Sequence, residues 1–160
     1  MRPGQILVAD HEGVFVIKMI GDVRLTLCIS FDQFIDSMFN KENFSTVLFD
    51  LSEAEAIDST TLGLMAKISL QGQERHNVTP VILSTNVSIN RVLETMGFQD
   101  IFTIVNELQT PVKPSQALTA DLNNEEEIKE KVLEAHKILM GLSPENQSAF
   151  RNLVKMLEYN

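Results

Sequence analysis

One cysteine in 160 residues leaves no internal disulfide to form, which fits a reducing cytoplasm and not an exported, cross-linked scaffold. Basic residues are scarce: 13 Lys and Arg stand against 22 Asp and Glu, a formal charge of −9. A polyanion would be repelled, so binding along a nucleic-acid backbone is excluded as the main activity. Long apolar runs are missing too. Residues 14–20 are interrupted by Lys18 and far too short to cross a bilayer. The opening Met1-Arg2-Pro3-Gly4-Gln5 leads to Asp10, His11 and Glu12, not to an apolar signal core. A soluble, cytoplasmic chain with no membrane contact is expected. Its four glycosylation sequons, at Asn43, Asn77, Asn86 and Asn146, then carry no glycan. Also absent are a Gly-rich phosphate loop and a Gly-x-Ser-x-Gly elbow. His11, His76 and His136 lie far apart, without metal-ligand spacing. No cofactor, metal or catalytic residue is expected, and an enzyme using a serine nucleophile has no placeable histidine base.

What is present is periodic. Residues 5–8 and 13–20 read as two strands around an Asp10-His11-Glu12-Gly13 turn, with Val14, Val16 and Lys18 on one side and Phe15, Ile17 and Met19 on the other. Residues 23–29 alternate as well, and predict a further short strand. Phe31, Phe34, Ile35 and Met38 make a helical stripe, with Ser30 or Asp32 serving its first turn. Residues 45–51 and 79–84 are near-continuous apolar runs, the pattern of strands buried on both faces. Between them, Leu62, Met65, Ala66 and Ile68 carry a second helix from Ser59 onward. Asn86 or Ser88 caps a third, with Ile89, Val92, Leu93 and Met96 inward and Gly97 ending it. Residues 101–105 close the set as a last strand. The order β-β-α-β-α-β-α-β predicts an α/β fold: a mixed, mostly parallel sheet with helices packed on one face.

Residues 109–121, with Pro111, Lys113 and Pro114, read as a linker between a domain at 1–108 and an extension at 122–160. The extension is a helical hairpin. Residues 123–140 begin with Glu125, Glu126 and Glu127, where the helix dipole favours acids, and carry Ile128, Val132, Ala135 and Leu139 as a stripe. Gly141 stops that helix. Ser143 as N-cap and Pro144 at the first position start the next, with Phe150, Leu153, Val154 and Leu157 inward. Such a hairpin is too small to be stable alone. Its seam is expected to pack on its own domain, with a dimer interface or a second protein partner as the alternatives.

The informative stretch runs from Asp50-Leu51-Ser52 to Ile57-Asp58-Ser59-Thr60-Thr61-Leu62-Gly63. It joins a buried strand to a helix, and Ser59 falls at the helix start. Free N–H groups and the dipole there favour an added negative charge. Asp58 is placed to cap the helix. The segment resembles the phosphorylation loop of STAS domains of the anti-sigma factor antagonist family, in which an apolar strand ending Asp-Leu-Ser is followed by Ile-Asp-Ser-Ser-Gly-Leu-Gly. Thr60 replaces the second serine and Thr61 the first of those glycines. Ile20-Gly21-Asp22 matches a further family position. The hairpin is similar to that of the HsbA type from gamma-proteobacteria.

The resemblance implies a switch protein and not an enzyme. Unphosphorylated, it would bind an anti-sigma factor and free the sigma factor. A serine kinase would phosphorylate Ser59, with Thr60 as runner-up, and a PP2C-type phosphatase would reverse this; one bifunctional response regulator could supply both activities. The partner surface would comprise Asp58, Ser59, Thr60, Thr61 and Leu62, some of them facing the core. A STAS scaffold or nucleotide-sensing module without a phosphoswitch is the alternative. Cys28 reads as a small part-buried hydrophobe, and His136 as an edge or surface residue. Asp10 and Asp50 end strands, as a receiver-domain phosphoacceptor does. A paired acidic cluster and a strand-end lysine near residue 105 are both lacking, which counts against that class.

Overall fold

The computed structural model describes residues 1–108, 116–122 and 124–159. Alternating apolar residues and a tight turn open the chain: β1 (Gln5–His11) and β2 (Val14–Val23) form an antiparallel hairpin. Glu12 and Gly13 make the turn at φ of 53° and 92°, and Asp10 Oδ1 accepts the Gly13 N–H at 2.8 Å. A 3-10 turn at Leu25–Leu27 leads into α1 (Cys28–Phe39). Then come β3 (Thr46–Ile57), α2 (Ser59–His76), β4 (Val81–Leu83), α3 (Val87–Thr95) and β5 (Thr103–Val105). The chain finishes with β6 (Gln116–Ala117), α4 (Glu125–Met140) and α5 (Pro144–Glu158).

The sheet has the order β5-β4-β3-β2-β1-β6. β2 to β5 run parallel, and β1 and β6 are antiparallel to their neighbours. Every crossover from β2 to β5 steps the same way, so right-handed connections put α1, α2 and α3 on one face. This is the expected α/β architecture. Phe15, Ile17 and Met19 of β2, Val47, Phe49 and Leu51 of β3, and Ile82 of β4 meet Ile35, Met38, Leu62, Met65 and Leu93 from the helices, all buried. The helical hairpin adds an outer layer. α4 lies across α1 and α2, and α5 packs on α4.

Several expectations are corrected. β3 is fully covered on one face only: Val47, Phe49 and Leu51 are buried, while Thr46, Leu48 and Asp50 are half-exposed. The apolar Leu48 on the open face made the run look continuous. β4 behaves the same way, with Ile82 buried between half-exposed Val81 and Leu83. Residues 23–29 are not a separate strand; they end β2, make the 3-10 turn and begin α1. Neither Ser30 nor Asp32 caps α1, whose N-cap is Leu27 without a side-chain bond. Val92 and, on α5, Leu153 are more exposed than their stripes imply. Within the expected linker, Gln116–Ala117 adds an edge strand to β1, and Ser30 Oγ donates to the Thr119 carbonyl. Residues 109–115, with Pro111, Lys113 and Pro114, and residue 123 lie outside the described residues. Three sequon asparagines serve the fold: Asn77 is the left-handed C-cap of α2, Asn86 caps α3, and buried Asn146 donates to the carbonyls of Met96 and Leu139 at 3.0 and 2.9 Å.

Asp32 ties the layers together by charge. Its carboxylate is buried on α1 and takes Lys67 of α2 at 2.7 Å and Lys131 of α4 at 2.5 Å, while Lys67 also reaches Glu134 at 2.8 Å. Burial pushes the Asp32 pKa up, but the hydrogen bonds and charges of the two lysines outweigh it and hold the carboxyl below its ordinary 3.8. Lys67 and Lys131 are raised, their bonds to Asp32 overcoming burial. A carboxyl whose folded value is depressed contributes its stability fully above the ordinary value and loses it as pH falls through the lowered one. Asp32→Asn should therefore cost about 3 kcal/mol at neutral pH, the low end for a broken buried ion pair. In urea denaturation the variant should also show a shallower loss of stability than the parent as pH falls below 4; equal acid limbs would remove Asp32 from this role.

Candidate functional site

The site lies where β3 hands over to α2. The β2–β3 register shifts twice, between Lys18 and Ile20 and between Gly21 and Asp22, leaving extra residues on β3. Such bulges bend a strand and re-aim its end. Gly21 is required beside them: its φ is 73°, and a Cβ would stand 2.6 Å from the Pro3 carbonyl oxygen. The bent end of β3 carries Glu53 and Glu55, which are engaged by basic groups. Arg2 reaches Glu55 at 2.8 Å and Glu53 at 3.7 Å, and Lys18 also pairs with Glu53. Both acids are therefore compensated locally.

Asp58 holds the turn by three bonds. Its N–H donates to the Val23 carbonyl at 3.0 Å. Its Oδ1 accepts the Thr61 N–H at 2.9 Å, the N-cap of α2, and its Oδ2 accepts the Leu25 N–H at 2.7 Å. One residue thus ties the end of β2 by its backbone, and the 3-10 turn and the first turn of α2 by its carboxylate. Nearby Cys28 is buried, and burial first, with the Asp58 charge second, pushes its thiol up to about 11. It is an unreactive packing residue.

Ser59 is the first residue of α2 and is part-exposed. Its Oγ lies 2.7 Å from Nε2 of His136 on α4. His136 Nδ1 lies 2.6 Å from the Val132 carbonyl oxygen. A carbonyl only accepts, so Nδ1 carries the proton; Nε2 of the neutral ring is then the acceptor and the Ser59 hydroxyl donates. The ring packs edge-on against Phe150 of α5, with centroids 5.0 Å apart. His136 is 2 % exposed, which corrects its reading as an edge or surface residue. The signal was available: position 136 falls four residues after Val132, on the same helical face as Ala135 and Leu139. Its pairing with a serine 77 positions away was not.

The remaining site residues face inward. Thr60, Thr61 and Leu62 are each 2 % exposed, so in this conformation neither threonine hydroxyl is open to a kinase and none of the three offers a surface to a partner. Ser59, Gly63 and Lys67, four residues apart, share the outer face of α2. They meet His136, the Ala135 backbone and Glu134 in turn. A hydroxyl donating to an anchored imidazole is also how a nucleophile is paired with its base. Here the imidazole is buried between packed helices, and the ring's far nitrogen bonds a neutral carbonyl, not a carboxylate. His76 stacks on Phe39 and lies tilted against Phe44 at the opposite end of α2. Asp10 and Asp50 are spent on the local N–H groups of Gly13 and Ser52. Among the described residues no group of three or more His, Cys, Asp or Glu could hold a metal ion, and no helix is long and apolar enough to cross a membrane.

Because Asp58 satisfies two backbone donors, Asp58→Ala should cost about 1–2 kcal/mol, in the range of a lost N-cap. Asp58→Asn, which keeps one accepting oxygen, should cost less. Thermal unfolding of the two variants measures the difference, and equal costs would mean that only one of the bonds matters.

No curated protein matches the chain. Residues 5–110 match the family described as the STAS domain, and the chain belongs to that family.

Proposed function

We propose that this protein is an anti-sigma factor antagonist operated by phosphorylation of Ser59, acting in the cytoplasm as a binding switch and not as a catalyst. The observation that carries the reading is the placement of Ser59: first residue of α2, directly behind the Asp58 cap, in a STAS domain. In this reading the unphosphorylated chain binds an anti-sigma factor and frees its sigma factor. A serine kinase ends that complex and a PP2C-type phosphatase restores it. The likeness of the hairpin to the HsbA type favours one response regulator that does both.

The physical basis is electrostatic. Phosphorylation adds about −1.5 to −2 charges and three acceptor oxygens at the Ser59 position. The α2 N-terminus tolerates that charge, so the sheet need not change. A partner approaching with apolar or acidic groups meets desolvation and repulsion. A penalty of about 3 kcal/mol weakens binding by roughly a hundredfold.

Intact-mass analysis and peptide mapping of the protein from its native cells should find one phosphate on Ser59. Captured partners should include an anti-sigma factor with Ser59→Ala, and should lose it with Ser59→Asp at an unchanged thermal transition of the sheet. Absence of the modification under all growth conditions would leave a constitutive STAS scaffold as the better reading. The Ser59–His136 bond favours one second reading, a serine hydrolase. Incubation with p-nitrophenyl esters tests it, and the proposed function requires no turnover that depends on Ser59.

A further inference from the structure

The outer face of α2 is a fitted surface with three features in a row: a hydroxyl donor at Ser59, a gap at Gly63 and a cation at Lys67. α4 supplies the complement to each. His136 Nε2 accepts the hydroxyl at 2.7 Å, the Ala135 backbone fills the gap, and Glu134 takes Lys67 at 2.8 Å. A Cβ on Gly63 would lie 2.3 Å from the Ala135 carbonyl oxygen, so the approach leaves no spare room. One end of this interface is the hydroxyl proposed above to carry phosphate, and its proton makes the bond to His136.

Transfer of a phosphoryl group from a nucleoside triphosphate forms an Oγ–P bond, releases the diphosphate and removes that proton to the kinase's base. Nε2 then faces phosphate oxygens where it had a hydroxyl hydrogen. With Ser59 in its present rotamer, the 2.7 Å separation, set for a shared hydrogen, leaves no room on the His136 side for a phosphorus atom with three oxygens. His136 has nowhere to go: its Nδ1 is bound to Val132 and its edge rests on Phe150.

We infer that the docked hairpin and a modified Ser59 exclude each other: α4–α5 is an intramolecular occupant of the α2 face, latched by the unmodified Ser59 hydroxyl and released when an anion replaces it. The inference rests on Ser59 being the phosphoacceptor. It also specifies the kind of partner the uncovered face accepts. On the unmodified chain this is a helix that brings a small residue to Gly63, a carboxylate to Lys67 and a hydrogen-bond acceptor to the Ser59 hydroxyl, and it must compete with α4 for the place.

Hydrogen–deuterium exchange on the full chain tests this without any partner. Three forms are compared with the parent: Ser59→Glu, the chain with phosphoserine incorporated at position 59, and Gly63→Val, which forces the helices apart without altering Ser59. Gly63→Val sets the undocked rate. The phosphoserine chain and Ser59→Glu should exchange the α4 amides about tenfold faster than the parent or more, while β2 and β3 stay protected. Parent-like protection of α4 in the phosphoserine chain overturns the inference. So does loss of sheet protection along with α4, because the contact would then belong to the fold and not to a latch. Slow exchange in Gly63→Val overturns it as well, since α4 would not be held as the structure places it. The two proposals fail separately: a serine never phosphorylated in cells removes the phosphoswitch and leaves the exchange result standing, whereas a protected α4 removes the latch alone.

Discussion

Helix α4 lies against α2 only because residue 63 has no side chain. Within a helix a glycine costs about 1 kcal/mol relative to alanine, so its presence in the second turn of α2 is unfavourable by propensity alone. The close approach gives it a purpose. With the backbones together at Gly63 and Ala135, the hydroxyl–imidazole bond on one side and the lysine–carboxylate pair on the other can close at the same time. The three contacts share one spacing, and a shift at the centre opens both ends.

Charge reinforces that geometry. Asp32 is buried on α1 but is paired outward, to α2 and to α4, so the three helices share one carboxylate. Asp58 plays the corresponding part at the ends of the central strands β2 and β3, where one carboxylate satisfies donors from two separate segments. The chain is strongly acidic as a whole, yet the acids nearest the site are individually neutralised or spent on backbone N–H groups. The electrostatic response to a new anion at Ser59 is therefore governed by His136 and the helix start more than by net charge.

Much of the fold was legible because local rules and tertiary packing agree. The hairpin turn, the Asn86 cap, the Ser143-Pro144 restart and the apolar stripe of α4 all sit where their residues place them. Failures occurred where a residue type is ambiguous without its neighbours. Leu48 is apolar on an open face, and residues 23–29 alternate like a strand while forming a turn and a helix start. Asp32 resembles a helix-start acid but is an interlayer ion pair. At the site, local sequence places Ser59 and its Asp58 cap. It carries no trace of what covers them, because the contact with His136 is made by an element beyond the linker.

The short β6 strand sets how far that element can go. Gln116 and Ala117 are held on the edge of β1, so only seven residues, 118–124, separate this anchor from the start of α4. A hairpin freed from α2 on so short a leash stays at an effective local concentration on the order of millimolar. Any partner binding the same face from solution competes against that concentration. Its apparent affinity is lowered by the population of the docked form, and the edge strand thereby acts as a threshold for binding.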